Sequence, residues 1–539
     1  MNDRGPIVAT YSPTRPDVNL HQRIMMASDR VMAAAVVALV LGSVICFGGA
    51  VWWFRPLVTA VTFVLVSAQL LQHILNGRMP LLKSPLTLFG LMALALALVQ
   101  LVPFPAPVAR RISPTARDVY SLGTLPGLAR TDQPSVHLDE PAMVRSPATL
   151  DRAATLRWLV GAAACLGIFW AVTHFANRLG RLYLVWGCVV AAFVLNAALA
   201  LVQVVGNTEG MYGFIQPGRA PIWGPSAVDL LEAPGTAILR RLGPFPTARA
   251  TPAFEQVGLL PEPSFSFGTM LGGVGGFLAL ASLALPLALA IVLHVLAPRG
   301  SRENLSYRLK HTGQGGLTVL LLVMLVLGTF LVGLMTGPWF CPPFALGLAA
   351  VALPRSSGSR SLSISLFTVL LASLGLGATL AVAWPNVVGG RPPFAAFSGE
   401  FARLVWTESL ALMREFPLVG TGLGSFSTVY PYVKTHDASL TTAMSSVLQC
   451  AVESGAVGMG ILVMAIIWCL IRLPVCLRRV GPADRTLAYG LIGAALGFSL
   501  WSVLHWTVEL PAVAISASAI GGTWNRWLAG GTDLFVERG

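Results

Sequence analysis

Charged residues are scarce in this chain of 539 residues: they make up 11% of it, against about 25% in a soluble globular protein. Hydrophobic residues make up 55% of the chain, and the mean hydropathy is +0.72. So few polar side chains cannot cover the surface of a chain of this size in water. A water-soluble enzyme of several domains is therefore excluded, and the composition predicts an integral membrane protein.

The sequence also lacks the patterns of a disulfide framework and of a metal centre. Its 7 cysteines lie in or beside apolar runs, and none falls in a long polar segment. This placement argues against both disulfides and a zinc cluster. The sequence contains no Asp-x-Asp pair and no cluster of metal-ligand residues. We therefore expect no metal and no other cofactor.

Long apolar runs are abundant. A helix needs roughly 20 apolar residues to cross the hydrocarbon layer of a bilayer. By this rule the sequence predicts an all-α fold, a polytopic bundle of about twelve transmembrane helices. The predicted spans lie near residues 31–49, 57–75, 86–103, 154–175, 183–205, 269–297, 316–336, 338–353, 362–384, 443–471, 486–508 and 512–530.

The basic residues predict the orientation of the bundle. Arg and Lys gather in the short connections on one side of the predicted membrane, whereas the short links on the other side carry only Arg55. Short cytoplasmic loops are enriched in Lys and Arg, so both termini are predicted to be cytoplasmic. The tails are residues 1–30 and 531–539. This arrangement accounts for most of the net charge of +13, and a nucleic-acid partner is not expected.

Three long polar segments then fall on the outer face and divide the spans into groups. Short amphipathic helices are expected within them. Because compact bundles need only short connections, long segments gathered on one side favour a working surface there. Along the chain, the predicted order is 31–103 (helices 1–3), 104–153 (outer loop 1), 154–205 (helices 4–5), 207–268 (outer loop 2), 269–384 (helices 6–9), 385–442 (outer loop 3) and 443–530 (helices 10–12).

Outer loop 3 carries the most informative pattern. Apolar and charged residues interleave over Phe401–Arg414, which predicts an amphipathic helix of about four turns along the membrane interface, ending before Pro417. A turn with Gly420, Gly422 and Gly424 follows. The glycines fit two interpretations: a sharp turn that seats the helix, or backbone N–H groups that face a phosphate or a sugar.

Two titratable residues follow this turn. Glu453 lies about nine residues into the tenth predicted span, roughly 13 Å deep at 1.5 Å per residue. An acid at that depth usually faces a wet cavity or a partner, although a structural hydrogen bond to a neighbouring helix is an equal alternative. His436 lies beside Asp437 in the loop. It is either a solvated side chain or a proton-transfer group.

Together these residues resemble the O-antigen ligase / O-antigen polymerase superfamily, which are polytopic glycosyltransferases of the GT-C kind. The resemblance covers residues 400–460 closely and the rest of the chain loosely. A second stretch, Arg241-Leu-Gly-Pro-Phe245, is similar to another motif of that family. The motifs that carry the main resemblance are Arg403, Trp406, Pro417, Gly420-Thr-Gly-Leu-Gly-Ser-Phe426, the Ala-x-x-x-x-Leu-Gln stretch 443–449 and Glu453-Ser-Gly455-x-x-Gly458.

The resemblance implies the transfer of a glycan from a polyprenyl-pyrophosphate donor to a lipid or glycan acceptor hydroxyl. The reaction would take place on the outer face of a bacterial inner membrane and would need no metal. Arg241, or alternatively Arg240, is the expected pyrophosphate contact, because a guanidinium offers a fork of donors to phosphate oxygens. Further candidate substrate contacts are Arg403, Trp406, Gly420, Gly422 and Gly424.

The chain departs from the family at one motif position. The histidine that is usually proposed to activate the acceptor hydroxyl is replaced by Met444, and a thioether does not accept a proton at neutral pH. His436 and Glu453 are then the candidate bases. Two other functions stay open: a non-catalytic relative that binds lipid-linked glycan or assists polysaccharide assembly, and a small-solute transporter.

Overall fold

The computed structural model describes most of the predicted spans and part of the loops. The structural statements below refer to these residues alone: 16–45, 54–77, 85–113, 115–116, 146–206, 274–296, 315–336, 338–353, 360–387, 399–435, 440, 442–481, 484–505 and 510–529.

These residues are almost entirely helical. Among them there is no strand, and the single extended pairing is an isolated bridge between Phe104 and Ser146. The all-α prediction is confirmed to that extent. The helices are α1 (Pro16–Ile45), α2 (Phe54–Leu75), α3 (Leu86–Leu101), α4 (Ala106–Ile112), α5 (Arg152–Phe175), α6 (Leu179–Gly206), α7 (Val274–Leu296), α8 (Gly315–Thr336), α9 (Pro342–Ala352), α10 (Arg360–Val387), α11 (Gly399–Glu415), α12 (Phe426–Val429), α13 (Ser446–Arg479), α14 (Arg485–Leu504) and α15 (Pro511–Leu528).

Nine of the described helices are long and apolar enough to cross a membrane. Two more, α3 and α9, are apolar but shorter, and α15 is not among the nine. The chain is therefore a multi-pass membrane protein. Each of the twelve predicted spans overlaps one described helix, but the count of twelve stays a prediction.

Two helices differ from their predicted limits. Helix α1 begins at Pro16, so a helix occupies part of the segment that was predicted to be a cytoplasmic tail. Helix α13 begins at Ser446 and has 34 residues, or about 51 Å. That length exceeds the roughly 30 Å of a hydrocarbon layer, although α13 is not straight, because it is broken at Gly455.

Helix α7 is the centre of the bundle. Of its most apolar stretch, 94% is buried, and it packs against α6, α8, α9, α14 and α15. Small residues allow this close packing. A Cβ added to Gly347 of α9 would lie 3.3 Å from the Pro286 ring of α7, and one added to Gly493 of α14 would lie 3.0 Å from it.

The two ends of the bundle carry different polar contacts. At one end, Arg181 at the start of α6 pairs with Asp29 of α1, and the Gln72 amide of α2 donates to the same carboxylate at 2.6 Å. At the other end, α3 finishes and α5 and α13 begin; the Thr149 N–H donates to the Gln100 carbonyl there at 3.1 Å. We call this second end the loop end, because the described parts of outer loops 1 and 3 lie there.

Candidate functional site

Helix α13 is broken at Gly455, where φ is +61° and ψ is −159°. Its hydrogen bonds are replaced by bonds to the segment 417–422. The Ala456 and Val457 N–H groups donate to the Pro417 and Leu418 carbonyls at 2.8 and 3.1 Å. In exchange, the Val452 and Glu453 carbonyls accept from the Thr421 and Gly422 N–H groups at 3.0 and 3.1 Å.

These four hydrogen bonds provide partners for backbone groups that the break in α13 leaves without partners in the helix. Polar backbone groups freed near a bilayer need partners within the protein, and the loop supplies one for each of these four groups. We call residues 417–426, together with residues 452–457 of α13, the inserted turn. It is the most tightly specified element of the loop end.

The Glu453 carboxylate holds the second half of the inserted turn. Its Oε2 accepts from the Gly424 N–H at 2.8 Å, and its Oε1 accepts from the Phe426 N–H and the Gln449 amide, each at 3.1 Å. The side chain is 3% exposed. Both carboxylate oxygens therefore accept hydrogen bonds within the protein, as expected if Glu453 has a structural role. The geometry gives no support to Glu453 as a proton-accepting base.

Gln100 joins the end of α3 to the inserted turn. Its amide nitrogen donates to the Val419 carbonyl at 2.6 Å and to the Glu453 carbonyl at 3.0 Å, and its amide oxygen accepts from the Leu423 N–H at 3.0 Å. Since Gln100 is the second-last residue of α3, Glu453 lies level with the loop end. The depth of Glu453 in the bilayer stays a prediction.

The three glycines of the turn are tightly surrounded. Gly420, Gly422 and Gly424 all have positive φ, at +72°, +109° and +81°. A Cβ at Gly420 would lie 2.3 Å from the Glu453 carbonyl carbon, and one at Gly422 would lie 2.0 Å from the Thr149 hydroxyl oxygen. Side chains are excluded by the close approach of α13 and of the segment before α5.

The backbone donors of this turn bear on the two interpretations of the glycines. Each N–H from Thr421 to Phe426 already has an acceptor among the described residues: Val452, Glu453, Gln100 or Gly422. These donors are thus not available to a phosphate in this conformation. The geometry favours a sharp turn that seats α11.

A second buried acid, Glu408, lies on the inner face of α11. It accepts from the Tyr430 hydroxyl, and from the Thr435 N–H and hydroxyl at 2.7 Å each. Burial, and then the hydrogen bond to Glu408, raise the pKa of Tyr430 well above its usual value of about 10. Glu408 thereby ties α11 to the chain directly before His436.

The raised pKa of Tyr430 predicts a pH-dependent stability. Because the pKa of Tyr430 is higher in the folded chain than in the unfolded chain, its neutral hydroxyl stabilises the fold. This contribution is complete below about pH 10, and it is lost as the pH rises towards the pKa of the folded chain. We expect Tyr430→Phe to lower the free energy of unfolding by about 1–3 kcal/mol at pH 7, and to lose less stability than the wild type between pH 9 and 11. Thermal unfolding of the purified chain measures both effects. Tyr432→Phe is the control, since Tyr432 is 59% exposed; equal pH profiles for Tyr430→Phe and the wild type would contradict the prediction.

Met444 has an unusual backbone and an apolar environment. It is the single non-glycine residue with positive φ among those described, at +55°. Its side chain is 6% exposed and packs in a cluster with Val405, Phe426, Tyr430 and Val452. Met444, where the predicted resemblance would place a histidine, therefore contributes to the core between α11 and α13.

The predicted site residues divide into three groups. Glu453, Gly420, Gly422 and Gly424 come together in the inserted turn. Arg403 and Trp406 lie on α11 and are not part of that turn. Arg403 is exposed, and the half-buried Trp406 indole N–H has no acceptor among the described residues. The predicted contacts Arg240 and Arg241 and the candidate base His436 lie outside the described residues.

The charges of the loop end are asymmetric. The carboxylates of Asp151, Glu408 and Glu453 all accept hydrogen bonds from within the protein, Asp151 from the Ala154 N–H at 2.8 Å and the Thr428 hydroxyl at 2.7 Å. Glu415 is exposed. Five exposed arginines at this end form no ion pair with a described acid: Arg111, Arg152, Arg157, Arg403 and Arg414. Among the described residues of this end, exposed arginines therefore outnumber exposed acids, and a group of cations attracts anions.

The sequence did not identify three residues whose hydrogen bonds hold the site together: Gln100, Asp151 and Glu408. The only signal for Gln100 is a polar residue near the end of an apolar segment. Gly455 was noted as part of a motif, but nothing local indicated that it breaks a helix.

No known protein family model matches this chain, and no match is found among curated proteins. The site is therefore characterised by its geometry alone.

Proposed function

We propose that this protein is a membrane glycosyltransferase that moves a glycan from a polyprenyl-pyrophosphate donor to an acceptor hydroxyl. The observation that supports the proposal is the group of five exposed arginines at the loop end, which form no ion pair with a described acid. The carboxylates of Asp151, Glu408 and Glu453 accept hydrogen bonds within the protein instead. A lipid-linked donor brings its pyrophosphate to this boundary between the apolar spans and the loops. In the proposal this end faces the periplasm of a bacterial inner membrane, with both termini in the cytoplasm.

The proposed transfer reaction needs a site that binds the pyrophosphate and a base that takes the proton of the acceptor. The acceptor oxygen attacks the anomeric carbon and forms the new glycosidic bond, while the bond from that carbon to the pyrophosphate oxygen breaks and its electron pair leaves with the pyrophosphate. Arginines stabilise the charge that develops on the leaving group. The proton of the acceptor hydroxyl passes to a base.

Arg241, with Arg240 as the alternative, stays the proposed pyrophosphate contact. The proposed base is His436, because Glu453 already accepts three hydrogen bonds in the inserted turn. Glu408 supports this role indirectly, since it holds Thr435, the residue before His436. No step of the scheme requires a metal.

A non-catalytic relative is the second candidate, and one observation favours it. Met444 fills an apolar cluster where the similar family carries a histidine, so this chain can bind a lipid-linked glycan, or assist assembly of envelope polysaccharide, without transferring it. A small-solute transporter is the third candidate, and no observation at the loop end favours it.

Variants distinguish these functions in a strain that lacks the gene. If the protein is a transferase, Arg241→Gln and His436→Ala should each lower surface glycan by about 100-fold or more and cause the lipid-linked donor to accumulate. Arg478→Gln, at the opposite end of the bundle, is the control and should restore the glycan fully. Normal glycan in both variants, with glycan lost on deletion, would favour the accessory function. Uptake of a labelled solute by vesicles without glycan substrate would favour transport.

A further inference from the structure

The first two turns of α5 carry two exposed arginines at the edge of an apolar span. Helix α5 is one of the nine candidate membrane helices, and Arg152 is its first residue. Arg157 follows five residues later, about 7.5 Å further along the axis. Neither side chain forms an ion pair with a described acid.

The same face of α5 is open to the bilayer. Leu156 is 54% exposed and Val160 is 48% exposed, and residues three and four positions apart share one side of a helix. Arg152 and Leu156 therefore lie one above the other, and Arg157 lies beside Val160. Arg152 lies above these apolar residues, and Arg157 lies between the levels of Leu156 and Val160.

The described acid next to these arginines, Asp151, forms an ion pair with neither of them. Both oxygens of Asp151 are engaged, one by the Ala154 N–H as the N-cap of α5 and the other by the Thr428 hydroxyl. The first turn of α5 contains no acidic residue. A cation in the first turn of a helix is unfavourable with respect to its dipole, so an external anion would stabilise Arg152.

We infer that Arg152 and Arg157 form a binding site for an anionic phospholipid of the surrounding bilayer. The guanidinium of Arg157 extends towards the interface, as long basic side chains do near helix ends, and binds the headgroup phosphate together with Arg152. One acyl chain lies along Leu156 and Val160. This inference does not depend on the proposed transfer reaction.

The site adjoins the inserted turn. A Cβ at Gly424 would lie 3.1 Å from the Trp158 Cβ and 3.0 Å from the Ala154 carbonyl oxygen, and Asp151 is bound to Thr428 of the short helix α12. A lipid held by Arg152 and Arg157 would therefore contact the part of α5 on which the turn rests. Bound lipid is expected to hold this end of α5 in place.

Photo-crosslinking at Leu156 tests the inference. The full chain, with a benzophenone amino acid at position 156, is placed in nanodiscs of phosphatidylcholine that contain 20% phosphatidylglycerol, and the lipid captured under ultraviolet light is identified by mass spectrometry. We expect phosphatidylglycerol to be captured well above its share of the lipid. The double variant Arg152→Gln/Arg157→Gln should lower its capture about tenfold or more, since each basic residue near a membrane surface attracts anionic lipid.

Two controls make the result specific. Arg478→Gln/Arg479→Gln removes the same charge from the exposed last turn of α13 at the opposite end, and capture should then change by less than twofold. The double lysine variant Arg152→Lys/Arg157→Lys should retain most of the capture, which shows that the chain still folds with substituted side chains. Capture in proportion to lipid composition, or unchanged capture in the glutamine variant, would overturn the inference. With 1% polyprenyl pyrophosphate added, preferential capture of that lipid would instead identify the lipid carrier as the occupant and contradict the phospholipid assignment.

Discussion

Gly455→Ala is expected to destabilise the protein strongly. The backbone of Gly455, at φ +61° and ψ −159°, lies in a region that is essentially restricted to glycine. An added Cβ would also lie 2.5 Å from the Leu418 carbonyl oxygen, so segment 417–422 would have to move away. We expect a loss of about 3 kcal/mol or more in the free energy of unfolding, measured by thermal unfolding of the purified chain.

Gly460→Ala provides the matched control. Gly460 lies five residues further along the same helix, and a Cβ there has no heavy atom within 4 Å. Because alanine is the better helix former by up to about 1 kcal/mol, this variant should be neutral or slightly stabilised. Hydrogen exchange locates the effect: the amides of Thr421 and Gly422 should lose protection in Gly455→Ala alone. Wild-type stability of Gly455→Ala would show that the inserted turn is not a fixed part of the fold.

Glu453→Gln has the second largest expected effect. Both oxygens of this carboxylate accept backbone N–H groups, so an amide would place an NH₂ donor against one of those donors. Hydrogen bonds to a charged group contribute more than neutral ones, and we expect a loss of about 2–4 kcal/mol in the free energy of unfolding. The Gly424 and Phe426 amides should exchange faster. Glu415→Gln, at an exposed acid of the same end, should change stability by less than about 0.5 kcal/mol.

The same variant separates structure from chemistry. If Glu453 were the base, Glu453→Gln would keep its stability and its exchange protection and would lose transfer alone. If Glu453 holds the inserted turn, loss of stability and loss of function should appear together. A stable variant with no activity would therefore return Glu453 to the role of base.

Short stretches of sequence are enough to predict that the chain is a membrane protein and where its spans lie. An apolar run of sufficient length predicts a helix whatever its neighbours are. The predicted spans near 57–75 and 183–205 accordingly overlap helices α2 and α6. The amphipathic segment before Pro417 likewise predicts a helix, and α11 ends at Glu415. The orientation of the bundle and the glycan chemistry stay predictions, because charge placement and motif resemblance alone support them.

The inserted turn could not be predicted from the sequence. Its contacts join residues far apart along the chain: the Gln100 amide binds the carbonyls of Val419 and Glu453, more than 300 residues away. Local periodicity predicts α13 as one continuous helix, because the residues on both sides of Gly455 favour a helix. The break depends on partners that another segment supplies, and those partners appear when the chain has folded.

The sequence by itself determined that this protein is helical, membrane-embedded and rich in arginine at its polar boundaries, because hydropathy and charge act over short stretches of chain. The tertiary structure alone decided that Glu453 holds a turn at the loop end, that Met444 is a core residue and that Arg152 and Arg157 form no ion pair with an acid that the structure describes. These outcomes follow from which side chains meet in space, and residues far apart along the chain supply those contacts.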